Sequence, residues 1–296
     1  RLVTNMRAQD DRWFAEYLLR VGNGTEETDE EGNIRLPEDI CVPSTGEAVD
    51  IEKLIDHVFP ALDHNMVNPS YTTSRAILST KNDNVDVINM RMIERFRGEE
   101  KTYHSFDSAE DDPHGYYTQE FLNDLTPNGL PTHALKLKIN SPIILPRNID
   151  PANGLCNGTR LVVRGFQRNA IDAVIVMGQH AGRRVFLPRI PLCPSDDEMF
   201  PFRFKRKQFP VRLSFAMTIN KAGQTIPIVG VYLPESVFSH GQLYVVLSRA
   251  TAKSNIKILA FKDKRKEQSK NTKKRKISEP LITTMQNIVY KEVLNA

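Results

Sequence analysis

Cysteine, tryptophan and long apolar runs are scarce in this chain of 296 residues. Its three cysteines, Cys41, Cys156 and Cys193, lie far apart and include no C-x-x-C pair. Neither a disulfide framework nor a cysteine-based zinc site is therefore expected, and a reducing compartment fits the composition best. No apolar run approaches the roughly eighteen residues that a membrane span requires. The first residues also lack a signal-peptide pattern, so we expect no membrane partner.

The overall composition is that of a globular protein, with 40% hydrophobic and 26% charged residues. At roughly 100 to 200 residues per domain, the length allows two domains or one large domain with an insertion. The chain starts at Arg1 in sequence that reads as the middle of a domain, so we expect a fragment of a longer protein. The seven histidines are scattered, and His57 and His64 lack a nearby third ligand. No metal site is expected.

Charge is distributed unevenly, although the formal net charge is only +4. Residues 22–56 contain eleven acids and two bases, whereas residues 129–225 contain fifteen bases and five acids. The second block, with a net charge of +10, is predicted to face phosphates.

A second basic segment, residues 262–276, contains nine bases, two acids and no apolar residue. Such a segment cannot bury enough apolar surface to offset its ordering entropy, so a disordered linker is predicted. It has two open interpretations: nuclear localisation or nonspecific attraction to nucleic acid, or a solvated lysine-rich tether. The first implies a nuclear protein.

Periodicity predicts α/β segments on both sides of a β-rich block. Residues 10–24 place apolar side chains, including Trp13, on one side of a helix capped by Asp10 and Gly22. A strand follows in RAILST, and then a helix that ends at Gly98. From Pro131, short strands alternate with turn signals, and α/β patterning returns in RLSFAMTIN, IVGVYLP, SHGQLYVVLSRA and NIKILAF. A β insertion within one α/β domain is the simplest account.

Three sites contain groups suited to phosphate. Arg249, near the end of a predicted helix, offers a permanently charged fork of donors for a γ-phosphate. The loop from Thr218 to Thr225 presents Lys221, hydroxyls and backbone amides after a strand. Arg7 is a second candidate phosphate contact. Each has a plain alternative: a surface arginine for Arg7 and Arg249, and an ordinary strand-to-helix turn for the loop.

Together these pieces resemble the C-terminal half of superfamily 1 DNA helicases of the PIF type, particularly those encoded in plant Helitron transposons. The resemblance spans nearly the whole chain. The strings that carry it are TNMR, RAILSTKNDNVDVIN, PTHALKLKINSPIILPRNIDPANGLCNGTRLVVRGF, AMTINKAGQT and VFSHGQLYVVLSRATAKSNIKIL.

The resemblance implies an α/β fold, the second RecA-like helicase domain of the P-loop NTPase class, interrupted by a small β domain. Residues 1–128 would form the first part of RecA-like domain 2A. Residues 129–207 would form the inserted 2B domain, with a Src-homology-3-like barrel. Residues 208–262 would complete domain 2A, and residues 263–296 would form the basic tail.

The resemblance also implies residue roles. Arg7 and Arg249 would be catalytic, reaching the ATP γ-phosphate, and Gly223, Gln224 and Thr225 would contact the nucleotide. The residues assigned to nucleic acid are Thr80, Thr218, Lys221, Lys136, Lys138 and Arg160. The complete enzyme would use ATP and Mg²⁺ and act on single-stranded and forked DNA. Its other partner would be an N-terminal RecA-like domain.

Two departures from the family pattern matter. The family usually reads Lys-Ser-Gln-Gly-Gln-Thr where this chain has Lys221-Ala222-Gly223-Gln224-Thr225, which is one residue shorter and lacks the serine. No glycine is followed by lysine, and the acidic pairs Asp111-Asp112 and Asp196-Asp197 sit in polar loops, so both Walker motifs are missing. We therefore expect no tight ATP binding and no hydrolysis by this chain alone. The alternative function is a catalytically inactive transposon remnant that binds single-stranded nucleic acid.

Overall fold

The computed structural model describes residues 7–44, 49–110, 112, 114–127, 129–194, 200–221, 225–261, 283–290 and 292. The predicted basic linker of residues 262–276, Asp111 and the pair Asp196-Asp197 lie outside these residues. The described chain forms two compact units. The first unit takes its residues from Arg1–Ala61, Ser74–Ile88 and Ala216–Ala296, and the second from Leu62–Thr73 and Asn89–Phe215.

The secondary structure is mixed, as predicted. The helices are α1 (Arg12–Asn23), α2 (Val49–Val58), α3 (Leu62–Asn65), α4 (Pro69–Thr73), α5 (Asn82–Arg95), α6 (Gln119–Asp124) and α7 (Gln242–Leu247). The first eight strands are β1 (Asn33–Arg35), β2 (Arg75–Ser79), β3 (Glu100–His104), β4 (Phe106–Ala109), β5 (Ala134–Lys138), β6 (Pro142–Ile144), β7 (Arg160–Phe166) and β8 (Ala170–Ile175). The others are β9 (Arg184–Pro188), β10 (Ile190–Leu192), β11 (Phe204–Gln208), β12 (Arg212–Leu213), β13 (Ala216–Thr218), β14 (Ile228–Leu233), β15 (Ile256–Ala260) and β16 (Thr284–Gln286).

The first unit is built on a four-stranded sheet in the order β13-β2-β14-β15, in which every pairing is parallel. The strands are almost continuously apolar and buried, as expected for a parallel sheet covered by helices. Helix α2 packs against β2, β14 and β15. The α/β interpretation of these segments is therefore confirmed, and the family resemblance that suggests a RecA-like domain fits this sheet.

Gly230 lies where α2 crosses β14. A Cβ atom there would lie 2.6 Å from Val58 Cγ2 and 3.0 Å from Ile77 Cγ1. We therefore expect Gly230→Ala to destabilise the protein by about 1–3 kcal/mol through overpacking, measured by urea unfolding. The matched control is Gly165→Ala in β7, whose nearest neighbour would be Asp172 Oδ2 at 3.3 Å. A Gly230→Ala variant as stable as that control would contradict the close packing.

Helix α1 differs in detail from the prediction. Its N-cap is Asp11, whose side chain accepts a hydrogen bond from the Phe14 amide, and its C-cap is Gly24. Trp13, predicted to lie on the apolar side of this helix, is 45% exposed and stacks on Tyr17 with the rings 5.3 Å apart. The period-3.6 pattern cannot distinguish a buried ring from one that lies at the border of the apolar face.

Residues 283–290, which lie within the predicted basic tail of residues 263–296, form defined structure. Strand β16 pairs antiparallel with β1, and its central Met285 is 2% exposed. Asn287 Nδ2 donates to the carbonyl of Val21, and the Gly241 amide donates to the carbonyl of Ile288. Apolar residues such as Met285 thus give this segment buried contacts.

The second unit contains antiparallel sheets of five strands (β12-β6-β7-β8-β9), three strands (β10-β11-β4) and two strands (β3-β5). It is larger than the predicted insertion of residues 129–207, because β3 and β4 pair with β5 and β11. A buried ion pair fastens the three-stranded sheet: Arg206, 0% exposed, donates through Nε and Nη2 to both carboxylate oxygens of Asp107. The Src-homology-3-like barrel stays a prediction.

Candidate functional site

Two threonines predicted to contact nucleic acid lie together at the carboxyl edge of the parallel sheet. Thr218 ends β13 and is paired with Ser79, the last residue of β2, which Thr80 follows directly. Both threonines are partly exposed. Lys81 is next along the chain, and its ammonium lies 2.5 Å from a carboxylate oxygen of Glu235. Ligands of open α/β sheets bind at this edge, so the position suits a contact with a phosphate backbone.

Two residues predicted to contact nucleotide lie at the opposite edge. The amide of Ile226, which precedes β14, donates to the carbonyl of Arg249, which precedes β15, at 3.2 Å. Thr225 is adjacent to Ile226, so the end of the loop and the end of the α7 segment meet here. A six-residue strand such as β14 separates the two edges by about 17 Å.

The two predicted catalytic arginines share one corner of the first unit. Arg7 Nη1 donates to the carbonyl of Ser248 at 3.4 Å, and Arg249 Nε donates to the carbonyl of Val245 at 3.1 Å. Burial lowers the pKa of Arg249, and the positive charge of Arg7 lowers it further. Two like charges therefore lie close enough to repel, and a bound anion would relieve that repulsion. Their catalytic role stays a prediction.

The loop between β13 and β14 connects the two edges of the sheet. It leaves β13 through a 3₁₀ turn, Ile219–Lys221, and enters β14 at Ile228. The predicted nucleotide contacts Gly223 and Gln224, and the side chain of Lys221, lie outside the described residues. Because the loop starts beside Thr218 and ends beside Arg249, it is the shortest covalent link between the predicted DNA and nucleotide contacts.

The predicted basic contacts of the β block differ in exposure. Lys136 lies 3.2 Å from a carboxylate oxygen of Glu100, and Lys138, whose side chain is 12% exposed, donates to the carbonyl of Phe96. Both lysines are thus already engaged within the second unit. Only part of their charge is available for a phosphate.

Arg160 requires a correction. Its side chain is buried, with the residue 4% exposed, and it donates to the carbonyls of Thr73 and Ser214 at 2.8 and 3.1 Å. Burial lowers the pKa of the guanidinium to about 10. Arg160 therefore joins segments of the second unit and does not present a surface cation to nucleic acid. The sequence around Arg160, at the start of a strand within a basic block, did not predict that the side chain is buried.

Metal ligands and membrane spans are not found in the described part of the chain. No three His, Cys, Asp or Glu side chains of the described residues form a group that could hold a metal ion. Among the same residues, no helix combines the length and apolar character needed to cross a bilayer.

Comparison with known proteins identifies similarity to Pif1 helicases. Residues 120–166 match the family described as DNA helicase Pif1, 2B domain. The ATP-dependent DNA helicase PIF1 of Rattus norvegicus is 31% identical over 196 residues, which cover 62% of this chain and 27% of that protein. The chain thus spans about a quarter of the length of this curated relative.

Solved structures agree on the fold. The Pif1 helicase from Candida albicans matches with a TM-score of 0.56 and 22% identity, covering 87% of this chain and 55% of that one. The Pif1 helicase from Bacteroides, in complex with ADP-AlF3 and ssDNA, matches with a TM-score of 0.55 and 18% identity, covering 86% and 51%. Both similarities extend over the two units described above.

Proposed function

We propose that this chain belongs to the PIF family of superfamily 1 DNA helicases, to whose C-terminal region it is similar, and that it forms the second motor half of an ATP-dependent DNA helicase. The observation that carries the proposal is the corner shared by Arg7 and Arg249 at one edge of a parallel sheet. An arginine pair of this kind offers charge to a phosphate held by another domain. The N-terminal RecA-like domain is the proposed partner that holds it.

The chemistry of the corner fits an ATP γ-phosphate. Phosphoryl transfer spreads negative charge over the transferred group, and a positioned arginine stabilises that charge. Arg249 is partly withdrawn from water and held by its Nε bond to Val245, so its charge acts in a medium of reduced dielectric. The described residues offer no cluster of acids for Mg²⁺. We therefore assign the metal and most of the nucleotide contacts to the partner domain.

Strand contact is proposed at the opposite edge of the sheet. Thr80 and Thr218 would donate hydroxyl hydrogen bonds to the backbone of single-stranded DNA. The loop from Thr218 to Thr225 would transmit movement between this contact and the nucleotide. Movement of the strand in the five-prime to three-prime direction, a Helitron origin and nuclear action in DNA recombination, repair or transposition are further proposals from the family resemblance.

The proposal is tested by fusing the P-loop half of the Candida albicans relative to Arg1 and measuring ATP turnover. We expect the chain alone to show no turnover and the fusion to hydrolyse ATP with stimulation by single-stranded DNA. The isolated P-loop half is the control. A fusion no faster than that control, although it binds DNA, would contradict the proposal and favour the inactive binding remnant.

A further inference from the structure

The three-stranded sheet of the second unit has one covered face and one open face. Helix α6 packs on β4, and Leu192 and Phe204 belong to a buried cluster with Leu122 on the covered side. Strand alternation directs Phe106 to the other side, where it is 67% exposed. A strand of the sheet therefore exposes a large aromatic ring to solvent.

The open face carries a row of three neighbouring side chains across the strands. In the strand register, Phe106 lies opposite Lys207, which in turn lies opposite Pro191. All three residues are exposed. Residues directly opposite on one face of an antiparallel pair have Cβ atoms about 5 Å apart. The aromatic ring and the lysine ammonium therefore share one small patch.

Arg189 extends this patch. Its guanidinium carbon lies 5.4 Å from the ring centre of Phe106 and 4.6 Å from that of Phe209. The same guanidinium donates to the carbonyl of His104 and to Gln208 Oε1, at 2.7 and 2.9 Å. Bonds and stacking thus fix both the cation and one side of the Phe106 ring. The remaining ring surface meets solvent.

Among the described residues, bases outnumber acids on this face, which carries Lys205, Lys207 and Arg189 but only Glu110 among the acids. Strand β11 directs Lys205 and Lys207 outward, whereas Asp107 of β4 is buried on the other side with Arg206. Lys205 is paired with Glu110. Among the described residues, no acid lies within ion-pair distance of Lys207. The face therefore complements an anionic partner, and the exposed ring of Phe106 beside the cations favours a nucleic acid.

We propose that this open face, defined by Phe106, Lys207 and Arg189, binds single-stranded nucleic acid by stacking one base on Phe106. An exposed aromatic ring beside cations is the combination that binds single strands with little sequence preference, because every base has a π-face. Lys207 would neutralise an adjacent phosphate. This site adds a base contact to the strand contact proposed above. It rests on the proposed function only for the identity of the ligand, single-stranded DNA.

The test measures the affinity of the full chain for a fluorescein-labelled dT15 oligonucleotide by anisotropy. We expect Phe106→Ala to weaken binding by about 5- to 100-fold, and Phe106→Trp to retain it, because one stacked base is lost only in the first. The matched control is Phe186→Ala. Phe186 is 54% exposed beside Arg184, whose guanidinium is already bonded to Asp172. This control should change the affinity by less than about twofold, since its cation is neutralised.

A second oligonucleotide separates stacking from charge. With an abasic 15-mer, Phe106→Ala should bind like the unmodified chain, whereas Lys207→Ala should weaken both ligands and reduce the salt dependence by about one phosphate contact. Equal dT15 affinity for Phe106→Ala and the unmodified chain would overturn the proposal, as would equal losses on both ligands. The ATP turnover of the P-loop fusion is a separate readout. If single-stranded DNA stimulates turnover but Phe106→Ala does not change the affinity for dT15, the base-stacking site is refuted and the proposed function is not.

Discussion

Replacing Arg249 with alanine should lower ATP turnover of the P-loop fusion by about 10³- to 10⁵-fold, the range that an arginine finger contributes to phosphoryl transfer. The guanidinium is partly buried and lies beside Arg7, so its removal leaves the corner with one of its two predicted phosphate contacts. Turnover is measured at saturating ATP and saturating single-stranded DNA. The affinity for dT15 should stay within about twofold, because Arg249 lies at the nucleotide edge and is not expected to contact the phosphates of the DNA.

Two further variants make the Arg249 result specific. Arg12→Ala removes a guanidinium that is 92% exposed and paired with Glu16, and it should leave turnover unchanged. Arg249→Lys keeps one positive charge but loses the planar fork, so most of the loss should remain. Circular dichroism establishes that each variant is folded. Normal turnover in folded Arg249→Ala would remove the basis of the motor assignment.

Replacing Asp107 with alanine should destabilise the second unit by about 3–5 kcal/mol, because it leaves a buried guanidinium without its carboxylate. Both partners of this ion pair have fully buried side chains. Asp107 also accepts a hydrogen bond from Ser105 Oγ at 2.6 Å, so the variant removes more than one bond. With domain stabilities of about 5–15 kcal/mol, a loss of this size removes a large fraction of the total. Urea unfolding followed by circular dichroism measures it.

The control for Asp107 is Asp172→Ala, which breaks an ion pair of similar geometry whose aspartate is buried but whose arginine reaches solvent. Arg184 donates to both oxygens of Asp172, but its side chain is 66% exposed. Solvent screening should limit the loss to about 1 kcal/mol. A double variant, Asp107→Leu with Arg206→Met, should recover much of the stability because it removes both buried charges. Equal losses of unfolding free energy for Asp107→Ala and Asp172→Ala would refute the expectation that the cost depends on burial of the arginine left behind.

Local patterns predicted the elements of the first unit well. The runs RAILS and IVGVYL are buried parallel strands, and the segment around residues 242–247 is a helix. The prediction was wrong where burial depends on distant segments. Trp13 lies at the edge of a helix face, and Arg160 is covered by the carbonyls of Thr73 and Ser214. The strands before residue 129 were missed because their partners lie far along the chain.

The candidate sites divide in the same way. The residue types suggested which side chains suit phosphate, and the family resemblance suggested their roles. Nothing in the local pattern indicated the patch of Phe106, Lys207 and Arg189, because its members come from three different strands or their ends. A period-2 alternation around Phe106 was the one signal available, and it is too short to distinguish an open face from a core face.

By itself, the sequence determined the class of fold, the uneven charge and the resemblance to the PIF helicases. These depend on periodicity, composition and motifs, which neighbouring residues encode. The tertiary structure alone decided that Arg7 reaches Ser248, 241 positions away, beside Arg249, that Arg160 is buried, and that Phe106 meets solvent. Those outcomes depend on strand pairing and on removal of side chains from water, and both are properties of the assembled chain.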